Sequence, residues 1–215
     1  MARSAGASGI EHERARRAVF GHLGAAILHE TNNVLTVMAG VRQLLKAGIA
    51  LSDRVGGMID QQLVRMEELV GSIRRLGPDD PEGGSAPRDA AFVLESVERI
   101  LALVGKGRGL NFDRSAAPGV APRDTEAAGL ALLCALLPLL PERGGPGFVL
   151  EMRATGADDR VRLVARCRPA PPAGRSEPEW RLAEELLRAV GATLGSRFEG
   201  AELLVEVDLP ASAAG

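Results

Sequence analysis

The sequence has few of the features that nucleic-acid-binding and membrane-spanning proteins need. Only 3% of its 215 residues are aromatic, and 26 basic residues against 28 acidic ones leave a net charge of −2. Basic and aromatic residues do not interleave in a patch, so we expect no nucleic-acid partner. The longest apolar run, residues 130–140, contains Pro138 and is shorter than the roughly 18 residues that span a bilayer. We therefore expect no membrane segment either.

Cysteine is also scarce. Cys134 and Cys167 are the only two, and they lie in unrelated contexts. This usage predicts neither a disulfide framework nor a cysteine-rich metal site. Residues 1–10 carry no apolar signal-peptide core. With 46% hydrophobic and 25% charged residues, the composition is typical of a globular protein. We expect it to be cytoplasmic, with reduced thiols.

Two long amphipathic segments fill the first third of the chain. Residues 1–12 are small or polar and are predicted to be disordered, whereas residues 13–77 predict two helices joined near Gly48. Such helices form an antiparallel hairpin. Because one hairpin leaves a broad apolar face uncovered, we expect a homodimer that completes a four-helix bundle. The predicted bundle interior consists of Leu23, Ile27, Leu35, Met38, Val41 and Leu45, facing Ile59, Leu63, Met66, Val70 and Ile73.

The rest of the chain mixes both types of secondary structure. Residues 78–89, rich in Pro, Gly and Asp, predict a linker. Within residues 90–210, the patterns predict helices over 90–104, 125–140 and 178–190 and strands over 110–113, 148–153, 160–166 and 203–209; residues 211–215 form a tail. This order predicts an α+β chain whose second domain is a sandwich of helices on one face of a mixed sheet.

One polar motif interrupts the first predicted helix. Residues 29–33 read His-Glu-Thr-Asn-Asn, which places His29 and Asn33 one helical turn apart on the same face. A neutral imidazole can act as a nucleophile, and Glu30 can orient its other ring nitrogen. The zinc pattern His-Glu-x-x-His needs a second histidine where Asn33 stands, so a metalloprotease is excluded. A solvated polar patch remains the alternative to a histidine that accepts and passes on a phosphoryl group.

The motif and its surroundings resemble the core of a bacterial histidine kinase. That family's phosphoacceptor helix carries His-Glu-x-x-Asn-Pro-Leu, and residues 29–35 here read His-Glu-Thr-Asn-Asn-Val-Leu. Val34 replaces the proline and so removes a kink. The resemblance implies that His29 is the phosphoacceptor, Glu30 its acid–base partner, and Asn33 a residue that helps to position water in dephosphorylation. Small or polar neighbours leave room for a receiver aspartate to approach, and we expect docking at Ala25, Ala26, Asn32 and Thr36.

The resemblance covers nearly the whole chain, yet the second domain departs from the family at each nucleotide motif. Alignment puts Ala135 at the magnesium-binding asparagine and Arg166 at the adenine-binding aspartate. The adjoining glycines become Arg168 and Ala170, and a glycine-rich turn becomes Glu-Pro-Glu-Trp at residues 177–180. Residues 171–176 stand in place of the lid. Without an oxygen ligand for Mg²⁺ or glycines for close phosphate approach, we expect no ATP binding and no cofactor in this chain.

Three functions follow from the resemblance. The favoured one is a histidine phosphotransferase that moves a phosphoryl group between response-regulator receiver domains, with Mg²⁺ supplied by the receiver. The second is a kinase-derived regulator or receiver phosphatase, in which Asn33 matters more than His29. The third is a divergent but active histidine kinase. A structural dimer with an accidental motif is the remaining alternative. His12 is predicted to be solvated, Cys134 to be buried, and Trp180 to lie in the core or to pack in the emptied cleft.

Overall fold

The computed structural model describes residues 3–49, 53–75, 89–105, 110–140, 148–157, 159–170 and 176–212. In chain order the helices are α1 (Arg3–Lys46), α2 (Asp53–Arg75), α3 (Ala90–Val104), α4 (Thr125–Leu136) and α5 (Glu177–Ala189). The strands are β1 (Asn111–Ala116), β2 (Val149–Ala157), β3 (Arg160–Arg168), β4 (Thr193–Glu199) and β5 (Glu202–Pro210). The chain divides into two compact units, one of residues 21–80 and one that joins residues 1–20 to residues 81–215.

The first helix ends where the sequence predicts, at a glycine. Gly48 has φ 68°, its N–H donates to Leu45 O over 3.1 Å, and Ile49 N–H donates to Leu44 O over 3.0 Å. This pair of bonds is a Schellman motif, which satisfies carbonyls that the helix leaves without partners. The second helix begins at Asp53. Residues 78–88 of the predicted linker lie outside the described residues.

Much of the predicted bundle interior is open in a single chain. Leu23 and Val41 are buried, whereas Leu35 is 60% exposed. Met38, Leu45, Leu63 and Val70 are exposed as well, Ile27, Ile59 and Met66 are half-buried, and the side chain of Ile73 lies outside the described part. These exposed side chains are the ones that a second hairpin is expected to cover. The dimeric bundle itself stays a prediction.

The second unit is an α+β sandwich, as the sequence predicts. Its five-stranded sheet has the order β1-β2-β3-β5-β4, with β1 parallel to β2 and the other neighbours antiparallel. Met152, Ala165 and Val205 lie opposite one another on three adjacent strands and are completely buried. Side chains that alternate with them carry most of the charges. One face of the sheet therefore packs against helices and the other is polar. Strand β4 was not predicted.

The fourth helix is apolar on all sides. Nine of its twelve residues are buried, which is typical of a helix that is surrounded rather than amphipathic. Asp124 caps its first turn by accepting a 2.8 Å hydrogen bond from Ala127 N. The sequence predicts one helix over 125–140, but α4 ends at Leu136 and a 3-10 turn follows over Leu137–Leu139. The cause is Pro138, which has no N–H to continue the α-helix.

The N-terminal residues differ from the sequence prediction. Residues 1–12 were expected to be disordered, but α1 begins at Arg3. His12 was expected to be solvated, but it is only 9% exposed and its Nε2 lies 3.5 Å from Asp124 Oδ2. Ala15 and Val19, three and seven residues further on, are completely buried. The physical reason is that these residues share one face of the helix, and that face contacts Asp124 and Cys134 within the same unit.

Candidate functional site

The predicted phosphoacceptor motif lies within an unbroken helix. α1 continues through residues 29–35 to Lys46 without interruption, which agrees with the expected effect of valine in place of proline at Val34. Helical geometry therefore puts His29 and Asn33 one turn apart on one face. The side chains of Ala25, Ala26, His29 and Glu30 lie outside the described part of the structure, so their predicted roles are not tested by geometry.

Three residues of the predicted site, Asn32, Asn33 and Thr36, have described side chains. Asn32 and Thr36 are exposed, and Asn33 is half-buried. The hydroxyl of Thr36 donates a 2.8 Å hydrogen bond to the backbone carbonyl of Asn32, which uses its proton within the helix and leaves the methyl group and oxygen lone pairs outward. Asn32, Asn33 and Thr36 thus offer polar groups that another protein can reach, beside the exposed side chains of Leu28 and Leu35.

The position aligned with the magnesium ligand has no metal-binding group. Ala135 lies in α4 with 2% of its surface exposed. Its methyl group offers no oxygen to Mg²⁺, which prefers carboxylate, carbonyl and water ligands. Among the residues that the structure describes, no group of three or more His, Cys, Asp or Glu side chains could hold a metal ion.

At the end of β3, the structure changes the residue assigned to the position of the family's adenine-binding aspartate. Cys167 is completely buried opposite Leu150 and Leu203 on the helix-covered face. Arg166, one residue earlier, must point to the other face. It donates there to Glu202 Oε2 over 2.9 Å. A residue that contacts a nucleotide between the sheet and α4 has to face the helices. Cys167 therefore holds the position assigned to Arg166, and it supplies no carboxylate either.

The second arginine of this region also points away from the helices. Arg168 Nη2 lies 3.0 Å from Glu151 Oε2, and Glu151 is only 8% exposed on the polar face of the sheet. Arg168 Nε also lies 3.4 Å from Glu202 Oε1. Both arginines are held in cross-strand ion pairs, so neither offers its charge to a ligand in the cleft.

The start of α5 brings carboxylates where the family has glycines. Ser176 donates a hydrogen bond to Glu179, and Trp180, 2% exposed, donates from Nε1 to Glu184 over 2.9 Å. Burial and the nearby charge of Glu179 raise the pKa of the Cys134 thiol to about 12. Trp180 and Cys134 are buried as predicted. Residues 171–175, which replace most of the lid, lie outside the described residues.

The described residues at the aligned nucleotide motifs thus differ from those of the family in chemistry as well as in name. α4, the end of β3 and the start of α5 present a methyl group, a protonated thiol and carboxylates at the positions where the family has an asparagine, an aspartate and glycines. A phosphate group gains nothing from such neighbours, and Glu179 would repel it.

Comparison with known proteins gives the fold. No protein-family model and no curated protein matches the sequence. A solved structure described as a bacterial phosphotransferase matches with a TM-score of 0.51 and 13% identity, covering 88% of this chain and 95% of that one. A histidine kinase of Burkholderia phymatum STM815 matches with a TM-score of 0.49 and 15% identity, covering 99% of this chain and 100% of that one. The blue-light-activated histidine kinase of Erythrobacter litoralis EL346 matches with a TM-score of 0.49 and 15% identity, covering 89% of this chain and 59% of that one.

The chain shares its fold with the structure described as a bacterial phosphotransferase, and solved histidine-kinase structures also match it. At 13% identity this similarity establishes the fold and leaves activity and partners open. The matched region spans 59% of the length of the Erythrobacter protein. Within the described residues, no helix combines the length and the apolarity that crossing a membrane requires.

Proposed function

We propose that this protein is a histidine phosphotransferase of a two-component phosphorelay and does not use ATP. A ring nitrogen of neutral His29 attacks the phosphorus of an aspartyl phosphate on one receiver domain. The nitrogen–phosphorus bond forms as the bond to the aspartyl oxygen breaks, and the carboxylate leaves with the electron pair. A second receiver aspartate then takes the phosphoryl group, and its attack breaks the nitrogen–phosphorus bond.

The observation that carries this proposal is a contrast between the two units. The helical unit keeps the family's His-Glu-x-x-Asn motif in an unbroken helix. The α+β unit keeps the fold but has Ala135 and Cys167 where nucleotide ligands are needed. We therefore propose that this chain, which retains the acceptor and has neither an asparagine nor an aspartate at these two positions, receives its phosphoryl group from another protein. The match to a structure described as a phosphotransferase agrees with this role.

The other groups of the motif have supporting roles in this proposal. Glu30 accepts a hydrogen bond from the second ring N–H of His29 and so keeps the attacking nitrogen unprotonated. The exposed Asn32 and Thr36, together with Ala25 and Ala26, form the surface on which the receiver docks. Mg²⁺ is bound by the receiver and neutralises the phosphoryl oxygens during transfer. This chain supplies the nucleophile and its orientation.

The experiment is a transfer assay with the purified full-length chain. Receiver domains recovered by pull-down are phosphorylated with a labelled phosphodonor and mixed with wild-type protein or a variant. The wild type should acquire acid-labile, base-stable phosphate, and His29→Ala should acquire none. Glu30→Gln should slow labelling by about 100-fold, the usual loss when a proton-handling group is removed. His22→Ala is the matched control, since His22 is a half-buried histidine two turns earlier on α1, and it should be labelled normally.

Three other outcomes would contradict the proposal. Labelling of His29 by ATP and Mg²⁺ alone would show an active kinase and refute the proposal. Receivers that lose phosphate equally fast with wild type and His29→Ala, but not with Asn33→Ala, would show a phosphatase. An unlabelled wild type that leaves every receiver phosphate intact would contradict both.

A further inference from the structure

The beginning of α1 packs on the face formed by α4 and α5. We call residues 9–20 the cover segment. Ala15 and Val19 on it are completely buried, and the carbonyl oxygen of Ala15 lies 3.8 Å from Cys134 Sγ in α4. Cys134 itself is 1% exposed. The backbone of the cover segment therefore lies directly over the middle of α4.

Ion pairs surround this apolar contact. His12 Nε2 lies 3.5 Å from Asp124 Oδ2, and Arg16 Nε donates to Glu126 Oε1 over 2.8 Å at the start of α4. On α5, Glu185 Oε2 accepts a 2.9 Å hydrogen bond from Arg14 Nη1. The cover segment supplies the nitrogen donors, two of them arginines, and the face supplies the carboxylates. This arrangement fixes the orientation and register of the helix on the face.

The sequence of α4 requires such a cover. A helix in the outer layer of a two-layer sandwich normally has a polar outward side, but nine of the twelve residues of α4 are buried. The cover segment supplies the missing layer. The segment is helical and adds no strand to the sheet, and its backbone contact with α4 is the one between Ala15 O and the Cys134 thiol. Its departure would therefore break no backbone hydrogen bond of the α+β unit.

We propose that the α4–α5 face is a helix-binding surface and that the cover segment is its reversibly bound ligand. Ala15 and Val19 are small and bury little area each, and the surrounding ion pairs are partly exposed, so each adds little. The cover therefore opens more easily than the α+β unit unfolds. The open face would accept a helix with small apolar residues flanked by basic ones. The proposal uses no residue of the His29 motif and stands apart from the transfer function.

The two cysteines make the opening measurable in the full-length protein. Cys134 lies under the cover segment, whereas Cys167 is buried on the helix-covered face of the sheet. Both thiols have a pKa raised to about 12 by burial, with a contribution from Glu179 at Cys134. Release of the cover alone exposes Cys134, and global unfolding exposes both. N-ethylmaleimide labelling followed by peptide mass spectrometry distinguishes the two events.

Charge reversal at Arg16 tests the proposal. Arg16→Glu replaces the ion pair with Glu126 by repulsion and should raise the labelling rate of Cys134 by at least about tenfold, with Cys167 unchanged. Glu126→Arg should do the same, and the double variant Arg16→Glu/Glu126→Arg should return towards the wild-type rate. Arg17→Glu is the matched control, because Arg17 is 78% exposed and pairs with Glu13 on its own helix. Its Cys134 should stay protected.

Three results would overturn the proposal. Unchanged protection of Cys134 in Arg16→Glu would show that the ion pairs do not hold the cover. A parallel rise at Cys134 and Cys167 would show that the segment unfolds only with the whole unit. An equal effect of Arg17→Glu would show a non-specific charge effect. A second readout compares the amide hydrogen-exchange rates of residues 9–20 with those of β3. In Arg16→Glu we expect faster exchange in the cover segment and an unchanged rate in β3.

Discussion

Asp124 shows how one side chain can serve two contacts. Its Oδ1 caps α4 through Ala127 N, and its Oδ2 faces His12 of the cover segment. Burial alone would raise the pKa of Asp124. The hydrogen bonds from His12 and the backbone, with the charge of His12, outweigh burial and hold that pKa below the ordinary 3.8. The carboxylate form is therefore stabilised by folding.

Asp124→Ala should destabilise the α+β unit more than loss of a helix cap alone. Asp89→Ala is the matched control, since Asp89 caps α3 through a 2.9 Å bond from Phe92 N and is exposed. Cap removal costs about 1 kcal/mol, and we expect about that for Asp89→Ala and about 2 kcal/mol for Asp124→Ala, which also loses His12. Urea unfolding at neutral pH measures both.

The extra loss of unfolding free energy in Asp124→Ala, compared with Asp89→Ala, should depend on pH. Because the folded pKa of Asp124 is depressed, its stabilisation is fully present above 3.8, the unfolded value, and is lost as the pH falls through the lower folded pKa. The excess cost of Asp124→Ala over Asp89→Ala should therefore shrink in acid. An equal cost at every pH would mean that the contact with His12 contributes nothing to folding.

At the residue scale, patterns within one segment were predictable and contacts across the chain were not. The His29 motif and the replacement at Ala135 can be found in the sequence because each lies within a recognisable helix. Assigning Arg166 instead of Cys167 was an error of one residue, and in a strand one residue exchanges the two faces. The partner of His12 lies on α4, far away in sequence, and no local pattern gives such a pairing.

At the element scale, strongly periodic segments were predicted and the weak one was missed. α3 over Ala90–Val104 was predicted to the residue, because its apolar spacing and its Asp cap agree. β4 is an edge strand whose residues are mostly exposed, so its sequence lacks apolar alternation. A turn signal was available, since Gly200, with φ 62°, lies between β4 and β5. The all-round apolarity of α4 likewise signalled a further covering helix.

At the scale of the whole molecule, the open apolar face of the helical unit needs an explanation. Leu35, Met38 and Leu45 recur at helical spacing on α1 and are each about half exposed or more, as are Leu63 and Val64 on α2. Contiguous apolar patches of this kind on a folded chain mark interaction surfaces. We propose that a second copy covers this patch, because it presents the same patch and a twofold axis would cover both faces at once.

A charge placed in this patch should separate the dimer. Leu35→Glu would bury two carboxylates without partners in each dimer, and we expect the dissociation constant to rise by at least about 100-fold, which corresponds to about 2.7 kcal/mol. Gln43→Glu is the matched control, because Gln43 is exposed on another side of α1 and gains the same charge. Light scattering after gel filtration, over a dilution series, gives the mass of each variant. The wild type and Gln43→Glu should have twice the 22.5 kDa chain mass. A wild type that dilutes to a folded monomer would leave the apolar face without its proposed partner.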